Sequence, residues 1–150
     1  MKIRSVTCFV HDLSQLAQAE KLARAAQEAF GAAGYTVQTT RMAGRPFPLL
    51  LPEMTEKAAL GLARGWEAAA QAAGFAYLSL GPALPEFPES YALIAPMLAG
   101  TQNAFFGGVM SSLQGGVSLP AVRACGAVIA EAAGITPDGF TNLRFAALAN

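Results

Sequence analysis

The residues that could do chemistry are few, and they lie near the predicted ends of strands. The only histidine, His11, stands beside Asp12 directly after the first apolar stretch. Open α/β sheets hold reactive groups outside the carboxyl ends of their strands, so His11 and Asp12 are candidate catalytic residues, with His11 as a proton shuttle. The alternative is that Asp12 caps the following helix and His11 is a surface loop residue. One histidine excludes metal sites built on two or more imidazoles, and no metal or other cofactor is predicted.

Arginines near strand ends form a second group of candidates. Arg41 and Arg45 flank the segment before Pro46, and Arg144 lies after Asn142 in an otherwise apolar predicted strand. An arginine in such a place is either paired with a carboxylate or held ready for an anionic ligand. Acidic residues are scarce in the neighbouring strands, so both interpretations stay open.

Two further features have a structural and a chemical interpretation. Cys8 and Cys125 lie on apolar faces without a metal-binding, disulfide or nucleophile spacing, so the sequence indicates buried, inert thiols. The segment 107–116 (GGVMSSLQGG) precedes a helix, as a phosphate cradle would. It lacks the lysine and the glycine spacing of phosphate-binding loops, which favours a flexible loop.

The elements that must position these residues alternate between strand and helix. The sequence predicts strands at 3–10, 35–41, 75–80, 104–110 and 141–149, and a proline-marked loop at 43–53. Helices are predicted after the caps Asp12 and Ser118, from about Thr55, and at 90–98, where Pro96 weakens the prediction. The triplet Ala-Ala-Gly ends three of the helices, at 32–34, 72–74 and 132–134, where each glycine can turn the chain back. This alternation is typical of an α/β architecture with parallel strands.

Composition excludes several classes of protein. The chain has 150 residues, enough for one domain, and its net charge of zero gives no electrostatic footprint for nucleic acid or an anionic membrane. It lacks the run of about 18 apolar residues that a membrane span needs, and its start lacks a signal cleavage site, so a reducing cytoplasmic setting is expected. Charged residues make up only 13% of the chain, against about 25% in ordinary domains. We therefore expect much of the surface to be covered by another subunit or chain.

Four segments together resemble an uncharacterised protein family, the domain of unknown function 711. They occur in the same order and at similar spacing over nearly the whole chain: MKIRSVTCFV, GYTVQTTRMAGRPFP, YLSLGPA and FTNLRFAALAN. The resemblance implies that residues 1–150 are the N-terminal part of a longer protein, with a fold similar to the α/β barrel of glycyl-radical enzymes such as pyruvate formate-lyase. It does not imply radical chemistry, because the chain lacks paired cysteines and a glycyl-radical loop.

The resemblance also implies site candidates at the positions that match these segments. They are Arg41, Asn142 and Arg144 for ligand binding, with Asn150 as a weak catalytic candidate. We therefore expect an enzyme or a binding protein for a small anionic metabolite, with Arg41 and Arg144 as anion clamps. The alternative is a non-catalytic assembly subunit.

A second polypeptide or a homo-oligomer is expected to complete the fold. The low charge would leave apolar patches on a free surface, and the chain ends on the apolar segment FAALAN. Three explanations of the end at Asn150 stay open: a split gene, proteolysis, or self-cleavage in which the Asn150 side-chain amide attacks its own carbonyl carbon.

Overall fold

The computed structural model describes residues 1–113 and 115–149, and within these ranges five parallel strands form one curled, half-barrel sheet. The strands are β1 (Lys2–Phe9), β2 (Thr36–Pro46), β3 (Tyr77–Gly81), β4 (Ala104–Val109), β5 (Ser111–Ser112), β6 (Gly116–Val117) and β7 (Phe145–Leu148). Their order in the main sheet is β1-β2-β3-β4-β7, and β5 and β6 form a separate antiparallel hairpin. The predicted α/β fold with parallel pairing is confirmed.

Helices connect these strands, and local chemistry fixes where they begin. They are α1 (Leu16–Ala32), α2 (Glu56–Ala72), α3 (Ile94–Ala99) and α4 (Leu119–Ala133). The side chains of Thr55 and Ser118 accept a hydrogen bond from the backbone three residues on, as N-caps do, and Asp12 caps a short 3-10 helix that leads into α1. The predicted caps Asp12 and Ser118 are confirmed, and the cap at Thr55 lies where the sequence predicts the start of a helix. No helix in the described part of the chain is long and apolar enough to cross a membrane.

The core lies between the helices and one face of the sheet. Four residues that are neighbours in register across β1 to β4 are all buried there: Cys8, Met42, Leu78 and Ala104. α3 buries the larger side chains Ile94, Met97 and Leu98. α1 and α2 present mostly alanine to this layer, which lets them lie close to the strands. Trp66 of α2 is the large exception, and it packs on Gly44, where an added Cβ would lie 2.9 Å from the indole ring.

Within the described residues, no helix covers the opposite face of the sheet, which we call the open face. Side chains alternate along each strand, so the residues between the core positions point to this open face. Phe9 is 83% exposed there, and Ser79 is exposed as well.

The predicted loop at 43–53 is wrong for its first four residues. β2 continues to Pro46 because it has a strand on each side: Ala43 pairs with Phe9 and with Ser79. The register shifts between Ala43 and Pro46, and Pro46 then pairs with Gly81. Tertiary pairing therefore overrides the local signal of the prolines.

The predicted strand at 141–149 is wrong in its first half. Residues Phe140–Arg144 form a 3-10 helix, and only Phe145–Leu148 pair with β4. Arg144 therefore ends a helical turn and does not lie inside a strand. Its guanidinium bonds, described below, hold the chain in this turn.

Smaller differences concern the glycines and one proline. Gly34 and Gly74 adopt the predicted left-handed conformation, with φ of 79° and 78°, whereas Gly134 has φ of −85° and ends α4 without it. Pro96 lies in the first turn of α3, where its missing N–H removes no helical hydrogen bond. Segment 107–116 is not a simple loop, because β4 extends to Val109 and the β5–β6 hairpin follows.

Candidate functional site

Arg41 lies in the middle of β2 on the open face of the sheet, where its charge is unpaired. Its neighbours in register are Thr7 and Tyr77, and its guanidinium carbon lies 5.5 Å from the centre of the Tyr77 ring. The Nε atom is buried and has no hydrogen-bond partner. Across residues 1–113 and 115–149, the ion pairs are His11–Asp12 and Glu20–Arg24, so no carboxylate pairs with Arg41. The carboxylate-paired interpretation therefore does not hold for this arginine.

Arg41 lines a cavity of about 800 Å³ at the edge of the sheet where β3, β4 and β7 begin. Arg4 and Arg144 line it as well, and no aspartate or glutamate does so in the part of the chain that the structure describes. Its wall is otherwise mainly apolar and aromatic, and Phe140 and Leu143 are 65% and 66% exposed at it. The cavity therefore combines unbalanced positive charge with an apolar surface.

Arg144 faces the same cavity, but its N–H groups are largely engaged by the protein. Its guanidinium donates to the carbonyls of Leu98 at 2.6 Å, Thr101 at 2.9 Å and Ala104 at 3.4 Å, and to the Thr101 hydroxyl at 3.3 Å. Burial lowers the pKa of Arg144, while the nearby charge of Glu67 acts in the opposite direction. Arg144 is therefore neither paired with a carboxylate nor free to bind an anion with all its N–H groups. It holds the end of α3 and the start of β4 together.

Asn142, the third predicted ligand-binding residue, does not line this cavity. Its Nδ2 atom donates to the carbonyl of Ile129 at 3.2 Å, which attaches the turn before β7 to α4. Its Oδ1 atom is buried without a partner. The Ile129 side chain is 45% exposed, so only the backbone of this residue takes part in the contact. A role for Asn142 in ligand binding stays a prediction, and Asn150 lies outside the described residues.

His11 and Asp12 follow β1 at the opposite edge of the sheet, so the structure does not bring them to the arginines. His11 Nδ1 lies 3.5 Å from Asp12 Oδ2, and both side chains are exposed. Asp12 Oδ1 accepts hydrogen bonds from the backbone N–H of Ser14 at 2.8 Å and from its hydroxyl, and these bonds lower the pKa of Asp12. Gln15 Oε1 accepts from the His11 backbone N–H at 2.6 Å. The capping interpretation of Asp12 is confirmed, and proton transfer by His11 stays a prediction.

The two cysteines are buried and free, as the sequence predicts. Burial raises the pKa of both thiols, which disfavours the nucleophilic thiolate. Cys125 also explains why a glycine stands at position 108 in the segment 107–116, because a Cβ there would lie 2.7 Å from the Cys125 sulfur. Close packing of α4 on β4, rather than phosphate binding, therefore accounts for Gly108.

A second cavity of about 300 Å³ lies directly on the open face, and sequence reasoning missed its lining residues other than Arg41. Two rows of side chains cross the strands there. The lower row is Thr7, Arg41 and Tyr77, and the upper row, two residues further along each strand, is Phe9, Ala43, Ser79 and Phe105. Tyr77 and Phe105 contact each other edge to face, with ring centres 5.4 Å apart. Alternation within each predicted strand could have identified these residues as one face, but not their register.

The part of the chain that the structure describes holds no cluster of three or more His, Cys, Asp or Glu residues that could hold a metal ion. Comparison with models of protein families finds a match over residues 1–150, to the family described as "Uncharacterised ACR (DUF711)". A search of curated proteins finds no match.

Proposed function

The chain belongs to the uncharacterised family DUF711, and on that premise we propose that it binds a small organic anion through Arg41 on the open face of its sheet. The observation that carries this proposal is the state of Arg41. Its guanidinium has no carboxylate partner within the described residues and its buried Nε–H has no acceptor. The residue also lines both cavities of the open face.

An anionic ligand would supply what this arginine lacks. A buried N–H without a partner costs about 1–3 kcal/mol, and hydrogen bonds between guanidinium and carboxylate or phosphate are among the strongest in proteins. The Nε–H and one terminal N–H of a guanidinium can together donate to the two oxygens of a carboxylate. Arg4 and Arg144 add positive charge at the cavity wall. Binding alone is proposed here, and whether the protein is an enzyme stays open.

The test is a thermal-shift screen of small carboxylates and phosphates on the purified protein. A ligand that binds only the folded state at 100 times its Kd adds about 2.7 kcal/mol to the free energy of unfolding, which raises the melting temperature measurably. We expect the response to vanish in Arg41→Met and to persist in Arg64→Met. Arg64 is an exposed arginine that lines neither cavity, so its substitution controls for the loss of one positive charge. An Arg41→Met protein that responds like the wild type would contradict the proposal.

A second candidate is an assembly role without catalysis, and the exposed apolar side chains of the open face favour it. Phe9 and Phe140 are largely exposed, and a second polypeptide or a second copy of the chain lying on this face would bury them. Such a partner would complete a larger barrel of the kind found in glycyl-radical enzymes. Native mass spectrometry that finds a stable complex, together with no response in the ligand screen, would favour this function over the first. For either function we propose a reducing, cytoplasmic setting, which suits two free buried cysteines.

A further inference from the structure

We infer that the anion is an aromatic carboxylate, bound with its carboxylate on Arg41 and its ring in a trough between Phe9 and Phe105. This inference rests on the proposed function and adds the chemical class of the ligand. It starts from the two rows of side chains on the open face, which place a cation and an apolar surface next to each other.

The trough is formed by the sizes of the residues in the upper row. Phe9 on β1 and Phe105 on β4 are large, whereas Ala43 and Ser79 on the two strands between them are small. Adjacent strands lie about 4.8 Å apart, so the two phenylalanine positions are roughly 14 Å apart across the sheet. A ring placed midway is flanked by the two phenylalanine side chains, and aromatic pairs attract at ring-centre distances of about 4.5–7 Å. Ala43 and Ser79 leave the space above the sheet free for that ring.

The cation lies at one end of this trough. Arg41 precedes Ala43 by two residues, which is about 7 Å along the strand and within reach of an arginine side chain. Tyr77 connects the two parts of the site, because its ring faces the guanidinium at 5.5 Å and contacts the Phe105 ring at 5.4 Å. The guanidinium is therefore held against the same aromatic cluster that would receive the ligand ring.

The lining of the trough favours an aromatic acid over a sugar phosphate or a short aliphatic acid. Apart from Arg41, the polar side-chain groups there are the hydroxyls of Thr7, Ser79 and Tyr77, too few for the many hydroxyls of a sugar. Acetate would leave the aromatic surface of Phe9 in water. A planar apolar ring uses that surface, and the cavity of about 300 Å³ is large enough for one such ring.

Isothermal titration calorimetry on the purified protein tests the inference, with benzoate, cyclohexanecarboxylate, acetate and inorganic phosphate as probes. We expect benzoate to bind at least tenfold more tightly than acetate or phosphate, and more tightly than cyclohexanecarboxylate. In Ser79→Leu, which fills the trough, benzoate should lose at least tenfold in affinity while acetate binding stays unchanged. Gln38→Leu is the control for a leucine at an exposed strand position, because Gln38 is exposed on β2 and lines neither cavity, and it should leave both affinities unchanged.

The outcomes separate the inference from the proposed function. If acetate, phosphate and benzoate bind equally and all depend on Arg41, the function stands and the aromatic class is wrong. If no probe binds, both fail. Should Ser79→Leu not fold, as judged by circular dichroism, Phe9→Ala replaces it, since that side chain is 83% exposed and its loss leaves the core intact. Benzoate should then bind at least fivefold more weakly, and unchanged binding would overturn the inference.

Discussion

Replacing Arg144 by methionine tests whether this arginine is a structural residue or an anion clamp. Its guanidinium reaches four acceptors, contributed by Leu98, Thr101 and Ala104, and so connects the end of α3 to the first residue of β4. Methionine keeps most of the apolar length of the side chain but removes every donor. The loss should therefore appear in the stability of the fold.

The magnitude follows from the geometry of these hydrogen bonds. The two short ones, to Leu98 O at 2.6 Å and Thr101 O at 2.9 Å, each resemble a hydrogen bond to a charged group, worth about 1.5–3 kcal/mol. The contacts at 3.3 and 3.4 Å add less. Because Arg144 is only half-buried, water can replace part of what is lost. We expect Arg144→Met to lower the free energy of unfolding by about 3 kcal/mol.

Equilibrium unfolding in urea, followed by circular dichroism, measures this change. Arg64→Met is the matched control, because Arg64 is an exposed residue of α2 that makes a single hydrogen bond, to Gly100 O at the end of α3, at 3.1 Å. Its loss should cost no more than about 1 kcal/mol. If the two variants unfold at the same urea concentration, the structural role of Arg144 is refuted. An unchanged stability combined with a lost ligand response would instead assign Arg144 to the anion site.

Three further predictions concern the core and the helix caps. Burial raises the pKa of Tyr91 to about 12, above its value of about 10 in an unfolded chain. The free energy of unfolding should therefore fall between pH 10 and 12, because the unfolded chain loses the phenol proton first. Urea titrations of Tyr91→Phe should lack that part of the decrease. Gly81→Ala should lower the free energy of unfolding by about 3 kcal/mol, measured by thermal unfolding, because its Cβ would lie 2.5 Å from the Pro46 nitrogen. Gly61→Ala is the control: its Cβ would lie in open space within α2, so it should stabilise the protein by about 0.5–1 kcal/mol. Thr55→Ala removes the cap of α2 and should cost about 1 kcal/mol in urea unfolding, with no change in m-value.

The sequence predicts the fold well where the signal is local. Alternating strands and helices, and the caps at Asp12 and Ser118, depend on residues close together in the chain, and the structure confirms them. The errors arise where contacts with residues distant in the chain determine the local structure. β2 runs on to Pro46 because two neighbouring strands pair with it, and the turn before β7 is held by Arg144 bonding to carbonyls about forty residues earlier.

The candidate site could be predicted only in part for the same reason. Arg41 is recognisable from the sequence as a charged residue in a strand with few acidic neighbours. Tyr77 and Phe105 carry no such signal, because an aromatic residue in a strand is equally typical of a core position. Their contact with each other, and the place of Tyr77 beside Arg41, depend on the register of three strands, which are separated by more than 20 residues of chain.

The polar side chains described at the two edges of the sheet have partners within the protein, whereas Arg41 on the open face does not, and this difference argues for binding on the open face. At the carboxyl edge of β1, the place where α/β proteins often hold reactive groups, Asp12 is committed to the cap before α1 and Gln15 to the His11 backbone. At the edge where β7 begins, Arg144 is committed to carbonyls. Arg41, between these edges, has a buried Nε–H without an acceptor, and it lies beside aromatic side chains that the helices do not cover. A hydrogen-bond donor without an acceptor and an exposed apolar surface therefore lie next to each other at Arg41. A ligand with an anionic group and an apolar body would bind the first and cover the second.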